Sequence, residues 1–151
     1  MSDESPLIIE RRGEQDGILW ITLNRPERLN ALTFPLLGQL RQTFIDARAD
    51  RSVRCVVITG AGRGFCAGMD ISGGANPDKV EPPADVKLDI EGERLNFRFE
   101  VEAYIALRRL EVPVVVAVNG PCVGAGFDLA SHCDLAVVSR AARFQIGRAH
   151  V

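Results

Sequence analysis

The sequence predicts an α/β protein, and three observations carry that prediction. Short, nearly all-apolar runs recur at Cys55–Thr59, Pro113–Val118 and Leu135–Val138, with the length and composition of strands buried on both faces of a sheet. Stretches with helical spacing lie between them, which implies parallel strands joined by crossovers. Glycine-rich turns close two of the runs, at Gly60 and at Asn119-Gly120.

Each element follows from its local pattern. Leu7 to Arg12 and Ile18 to Leu23 read as a hairpin around the polar turn Gly13 to Gly17, with Leu19, Ile21 and Leu23 on one face and Ile18, Trp20 and Thr22 on the other. Asn24-Arg25-Pro26-Glu27 ends the second strand. From Pro35 a helix is predicted, with Leu36, Leu37, Leu40, Phe44 and Ile45 on one stripe and an end near Asp50. Ser72 to Asp89, rich in Gly, Pro, Asp and Lys, reads as a mobile surface loop leading into a helix from about Glu91 to Arg109. A further helix spans Ala125 to Ser131.

Composition narrows the function classes. Of 151 residues, 46% are hydrophobic and 25% charged, the balance of a soluble globular domain. A net charge of -2 supplies no basic field for nucleic acid. No apolar run approaches the roughly 18 residues of a membrane span, and Met1 to Pro6 is polar and acidic, so a cytoplasmic protein is expected. Cys55, Cys66, Cys122 and Cys133 contain no C-x-x-C pair, and His132 and His150 are the only histidines, a pattern that supports no zinc site. Buried reduced thiols are expected instead.

The two glycine loops, Thr59 to Asp70 and Asn119 to Asp128, each lead toward a helix, where backbone N–H groups and the helix dipole favour negative charge. Neither is a dinucleotide fingerprint: Phe65 and Leu129 stand where the third glycine belongs, and no phosphate-loop motif is present. A nucleotide-binding domain is therefore disfavoured, and glycines that only permit tight turns remain the structural alternative.

Three ordered motifs go further. Leu23-Asn24-Arg25-Pro26-Glu27 through Asn30-Ala31-Leu32, then Phe65-Cys66-Ala67-Gly68-Met69-Asp70-Ile71, then Asn119-Gly120 through Gly124-Ala125-Gly126, resemble the crotonase superfamily of enoyl-CoA hydratases and isomerases. Cys133-Asp134 and Ala142-Arg143-Phe144 continue the match, which runs from Leu7 to about Gln145. The resemblance implies a crotonase-like ββα spiral, of which residues 1–145 form the N-terminal half of an acyl-CoA-binding domain, the C-terminal helices being missing. It implies that the backbone N–H groups of Met69 and Ala125 form an oxyanion hole for an acyl-CoA thioester, with Ala67, Gly68 and Gly124 beside the substrate. The turn from Arg25 to Ala31 would face the CoA moiety. No separate cofactor is implied, since coenzyme A belongs to the substrate, and the full-length parent would be a homotrimer or hexamer.

Hydratases of this superfamily use two carboxylates to activate water and deliver a proton. By resemblance Asp128 takes the first position, where hydratases usually carry glutamate and some dienoyl-CoA isomerases aspartate. The plainer alternative is that Asp128 complements its helix dipole. Asp70 reads as a helix cap or first-turn acid, and His132 as a surface residue without a partner. The second carboxylate is expected four residues after Phe144, where Arg148 stands. Ile146 to Val151 resembles one translated frame of a common sequencing adapter, so residues 146–151 are expected to be an artificial tail and the fragment to be inactive alone. Dienoyl-CoA isomerisation, other enolate chemistry and a non-catalytic interaction protein of the same fold are the remaining alternatives.

Overall fold

A computed structural model describes residues 5–70, 98 and 101–146. In chain order these form β1 (Leu7–Arg12), β2 (Ile18–Leu23), α1 (Phe34–Ala49), β3 (Cys55–Gly60), α2 (101–108), β4 (Val114–Val118), β5 (Pro121–Val123), α3 (Ala125–Ser131), β6 (Leu135–Val138) and β7 (Arg143–Gln145). The main sheet has the order β1-β2-β3-β4-β6, with β1 and β2 antiparallel and all later pairings parallel. β5 and β7 make a second, two-stranded parallel sheet.

The hairpin forms where predicted, with Leu7 opposite Leu23 and Arg12 opposite Ile18. Its outer face is half-covered by the Arg12 guanidinium, 4.2 Å above the centre of the Trp20 ring. On the inner face Leu19, Ile21 and Leu23 are buried, as the alternation requires.

α1 begins one residue before the expected Pro35. Thr33 caps it, its Oγ1 accepting the Leu36 N–H at 3.3 Å, and Pro35 occupies the first turn, where its missing N–H leaves no helical bond unmade. The buried stripe is Leu36, Leu37, Leu40, Phe44 and Ala47. Ile45, expected on that stripe, is 40% exposed. At about 100° per residue the five buried positions share an arc of about 100°, Ile45 falls about 130° from its centre, and Ala47 takes the inward place.

β3 and β4 are the sheet centre, with Val56, Ile58, Val114, Val116 and Val118 buried between helices. α2 adds Ala103, Tyr104 and Leu107 to the same core, and α3 adds Leu129. The start of the helix expected from Glu91, and the loop expected at 72–89, lie outside the described residues. β6 departs from expectation: Leu135 and Val137 are 61% and 64% exposed. Among the described residues it pairs only with β4, and nothing covers either of its faces. No helix among the described residues is long and apolar enough to cross a membrane.

Candidate active site

The site is a seam between two loops that leave the sheet at the ends of β3 and β4. Cys66 and Cys122 form an isolated parallel bridge across it. Phe65 and Cys66 N–H both donate to Pro121 O, at 3.0 and 3.1 Å, and Val123 N–H donates to Cys66 O at 2.9 Å. The approach is too close for side chains at several points. A Cβ on Gly120 would lie 2.1 Å from Arg63 O, and one on Gly126 2.6 Å from Cys66 O.

Side-chain amides hold the first loop from both sides. Asn30, fully buried, donates from Nδ2 to Ala61 O and Gly64 O, both at 2.9 Å, while its Oδ1 accepts the Arg25 N–H at 2.8 Å. Asn119 Nδ2 donates to Gly62 O at 2.9 Å and Gly64 O at 3.2 Å. The loop's end is tied by Arg25, which pairs with Asp70 at 3.0 Å and donates to Ala31 O at 2.6 Å. Asp70, expected as a helix cap, is thus an ion-pair partner of the turn at Arg25, and the helix expected after it lies outside the described residues.

Met69 sits where this loop meets Leu32. Leu32 N–H donates to Gly68 O and Asp70 N–H to Leu32 O, each at 2.8 Å. In a parallel bridge of this kind the intervening residue turns its own N–H and C=O to the opposite side. The Met69 N–H therefore points away from Leu32 and has no backbone acceptor among the described residues. Gly68 makes the placement possible: its φ is +96°, and a Cβ there would be 3.0 Å from Val123 O and 3.6 Å from Ala125 N. Met69 is thereby held beside the start of α3.

Ala125 is the first residue of α3, so its N–H has no intrahelical acceptor, and Gly124 at the N-cap provides no side-chain bond. Gly124 is fixed on both sides of its peptide, its N–H donating to Gln145 O and its C=O accepting from Asp128 N–H, both at 3.0 Å. Asp128 lies one turn into α3 and is exposed. It lines a groove of about 380 Å³ between α2 and α3, with Val101, Tyr104, Ile105, Arg108 and His132.

A family profile for enoyl-CoA hydratase/isomerase matches residues 13–151. The chain belongs to the enoyl-CoA hydratase/isomerase family. It is 38% identical to the 1,2-epoxyphenylacetyl-CoA isomerase of Escherichia coli over 86% of this chain and 47% of that protein. It is 37% identical to a probable peroxisomal enoyl-CoA hydratase of Arabidopsis thaliana, over 91% of this chain and 46% of that protein. The structure of an enoyl-CoA hydratase from Mycobacterium smegmatis superposes with a TM-score of 0.80 at 35% identity, covering 93% of this chain and 50% of that one. The fold is therefore the N-terminal part of the crotonase fold, and the chain spans about half the length of the curated relatives it matches.

Within this family member, the residues expected at the site fall into two sets. Asp128 lies one turn into α3 on the groove facing α2, while Met69 and Ala125 meet at the seam. Ala67, Gly68 and Gly124 are there too, but with main-chain groups engaged in holding the loops: Ala67 N–H donates to Leu29 O at 3.0 Å, Gly68 O accepts from Leu32, and Gly124 is bonded on both sides. Asn30 and Tyr104 were not singled out by sequence reasoning. The Tyr104 hydroxyl donates to Ala125 O at 2.9 Å in a buried contact, and its ring stacks on His132 at 4.9 Å between centroids. The single tyrosine of the sequence, set among the apolar residues Ala103, Ile105, Ala106 and Leu107, was the available signal, since a buried phenol needs a hydrogen-bond partner. His132 likewise has partners, its Nδ1 lying 2.7 Å from Asp128 O.

The cysteines are free thiols, Cys66 and Cys122 buried and Cys55 and Cys133 half-buried. Burial pushes the Cys66 thiol up to about 12 and that of Cys122 to about 11, so neither is a nucleophile at neutral pH.

Proposed function

We propose that this chain supplies the oxyanion hole and one catalytic carboxylate of an acyl-CoA hydratase or isomerase. The observation that carries the reading is the seam itself, where Gly68 packs against Val123 and Ala125 and neither the Met69 nor the Ala125 N–H has a backbone acceptor among the described residues. Such a pair binds a thioester oxygen more tightly as it gains charge on the way to an enolate, and lowers the barrier accordingly. Each donor contributes about 2.7–4 kcal/mol in comparable sites.

In this reading Asp128 moves a proton at the reacting carbon, as base or acid. Its short side chain, in a family where hydratases usually carry glutamate here, favours isomerisation over hydration, and the isomerase from Escherichia coli among its relatives leans the same way. A second carboxylate, which two-step proton traffic needs, is expected beyond Phe144 in the longer protein. The turn from Arg25 to Ala31 lies on the CoA side of the site.

The test is an assay of the full-length protein with 2-enoyl-CoA and 3-enoyl-CoA thioesters, followed at the conjugated thioester absorbance. Turnover is expected, with Asp128→Asn slowing it by about 10²–10⁴ and leaving KM within a few-fold. Full activity in Asp128→Asn would remove the carboxylate from the mechanism. Binding of acyl-CoA without turnover would favour the interaction protein of the same fold.

A further inference from the structure

We propose that Tyr104 is a positioning residue that holds the first turn of α3, and with it the Ala125 N–H, in the geometry an enolate oxygen requires. The inference rests on the acyl-CoA reading above. Tyr104 projects from α2 and is 7% exposed, and its hydroxyl donates to Ala125 O at 2.9 Å. That carbonyl belongs to the peptide plane adjoining the one that carries the Ala125 N–H, with only the Ala125 Cα between them. The second plane is fixed by Gly124 O, which accepts from Asp128 N–H at 3.0 Å. The two hydrogen bonds together set the dihedral angles about Ala125.

The same ring braces the other end of the helix. It stacks on His132 at 4.9 Å with planes 22° apart. His132 caps α3, and because a carbonyl only accepts, the Nδ1 that lies 2.7 Å from Asp128 O carries the proton. α3 has only seven residues, too few for its own hydrogen bonds to fix its axis. Tyr104 therefore touches both the turn that bears the donor and the cap of the helix that bears Asp128. It need not touch substrate to act, since a displacement of about 1 Å in a catalytic group can cost on the order of 10²-fold in rate.

Tyr104→Phe in the full-length protein keeps the ring and its stacking on His132 and deletes only the hydroxyl. The expected result is a kcat lowered by about ten- to a hundredfold with KM for the acyl-CoA within about twofold. The thermal midpoint should stay within about 3 °C. A spectroscopic readout separates positioning from stability: the thioester C=O stretch of bound butyryl-CoA, shifted to lower frequency by the oxyanion hole, should move back toward its solution value. Tyr104→Leu, which also removes the stacking, should show the same kcat loss with a lower thermal midpoint. Wild-type kcat and an unmoved C=O stretch in Tyr104→Phe would overturn the proposal while leaving the acyl-CoA reading intact. A kcat loss that disappears when the variant is cooled into its fully folded range would overturn it as well, by making the role structural. A wild-type protein without acyl-CoA turnover would sink that reading and this inference together.

Discussion

The two loops that build the seam end equivalent parallel strands and carry equivalent main-chain donors, yet they are held by opposite means. The loop after β3 makes few bonds within itself; its carbonyls at Ala61, Gly62 and Gly64 are taken by the amides of Asn30 and Asn119, which come from elsewhere in the chain. The loop after β4 is held by regular structure, β5 pairing with β7 and α3 starting immediately afterwards. The first loop is thus held up to Gly64 by borrowed side chains, with Met69 beyond it bridged to Leu32, and the second loop is held by a helix end. The stability of the first should depend on individual polar residues, and that of the second on packing.

Substitutions at the line of contact should have the largest effect. Gly120→Ala would press a methyl group onto Arg63 O, where only backbone can give way. We expect a loss of at least about 3 kcal/mol, read by urea unfolding with circular dichroism. Gly64→Ala, whose Cβ would meet only side-chain atoms, the nearest of them on Leu29 at 3.4 Å, should cost far less, and equal losses at the two positions would break the seam argument.

Next in size is the buried amide. Asn30→Ala leaves Arg25 N–H and Ala61 O, both part-buried, without their partner, for a loss of roughly 2–3 kcal/mol. Asn119→Ala, at a half-buried position whose partner Gly64 O keeps its bond to Asn30, should cost about 1 kcal/mol. The reverse order would mean that the loop leans on β4 more than on the turn at Arg25.

The smallest effect at neutral pH concerns the thiols along the seam. Burial raises Cys66 and Cys133 to about 12, with the Asp134 charge adding to the latter, and raises Cys122 to about 11. Unfolded, they titrate near about 8.5. Above that pH the unfolded chain sheds protons that the folded chain keeps, so stability is full below it and falls as pH rises toward 11 to 12. Denaturant midpoints at pH 8 and 10 should show the drop, and a flat profile would mean the thiols are not shielded.

Much of the sheet was legible because its signals are local. The alternation in Ile18 to Leu23 and the apolar runs at Cys55 and Val114 each declare a strand without reference to anything else. β5 and β7 were not, being three residues each, with Pro121 opening one and Arg143 the other; they exist because the seam brings them together. Leu135 to Val138 has the residues of a strand covered on both faces, and those faces are bare in a chain that spans about half the length of its relatives. The site divides likewise. Asp128 has a side chain that suggests chemistry, whereas Met69 and Ala125 came only by resemblance, since a main-chain N–H leaves no mark on residue identity. Tyr104 meets Ala125 across 21 positions of sequence, a contact no periodicity encodes.

The use of main-chain donors also shapes how such a site responds to mutation. Every residue but proline presents the same N–H, so the positions proposed to hold oxyanion donors should tolerate exchange of their side chains within the limits of shape. Sensitivity passes to neighbours that do no chemistry, such as Gly68 with its positive φ and Gly120 with no room for a methyl group. A saturation screen scored for activity would show quiet positions at Met69 and Ala125 beside intolerant glycines. A lineage drifting under that rule could reshape the walls around its substrate while keeping the same pair of donors.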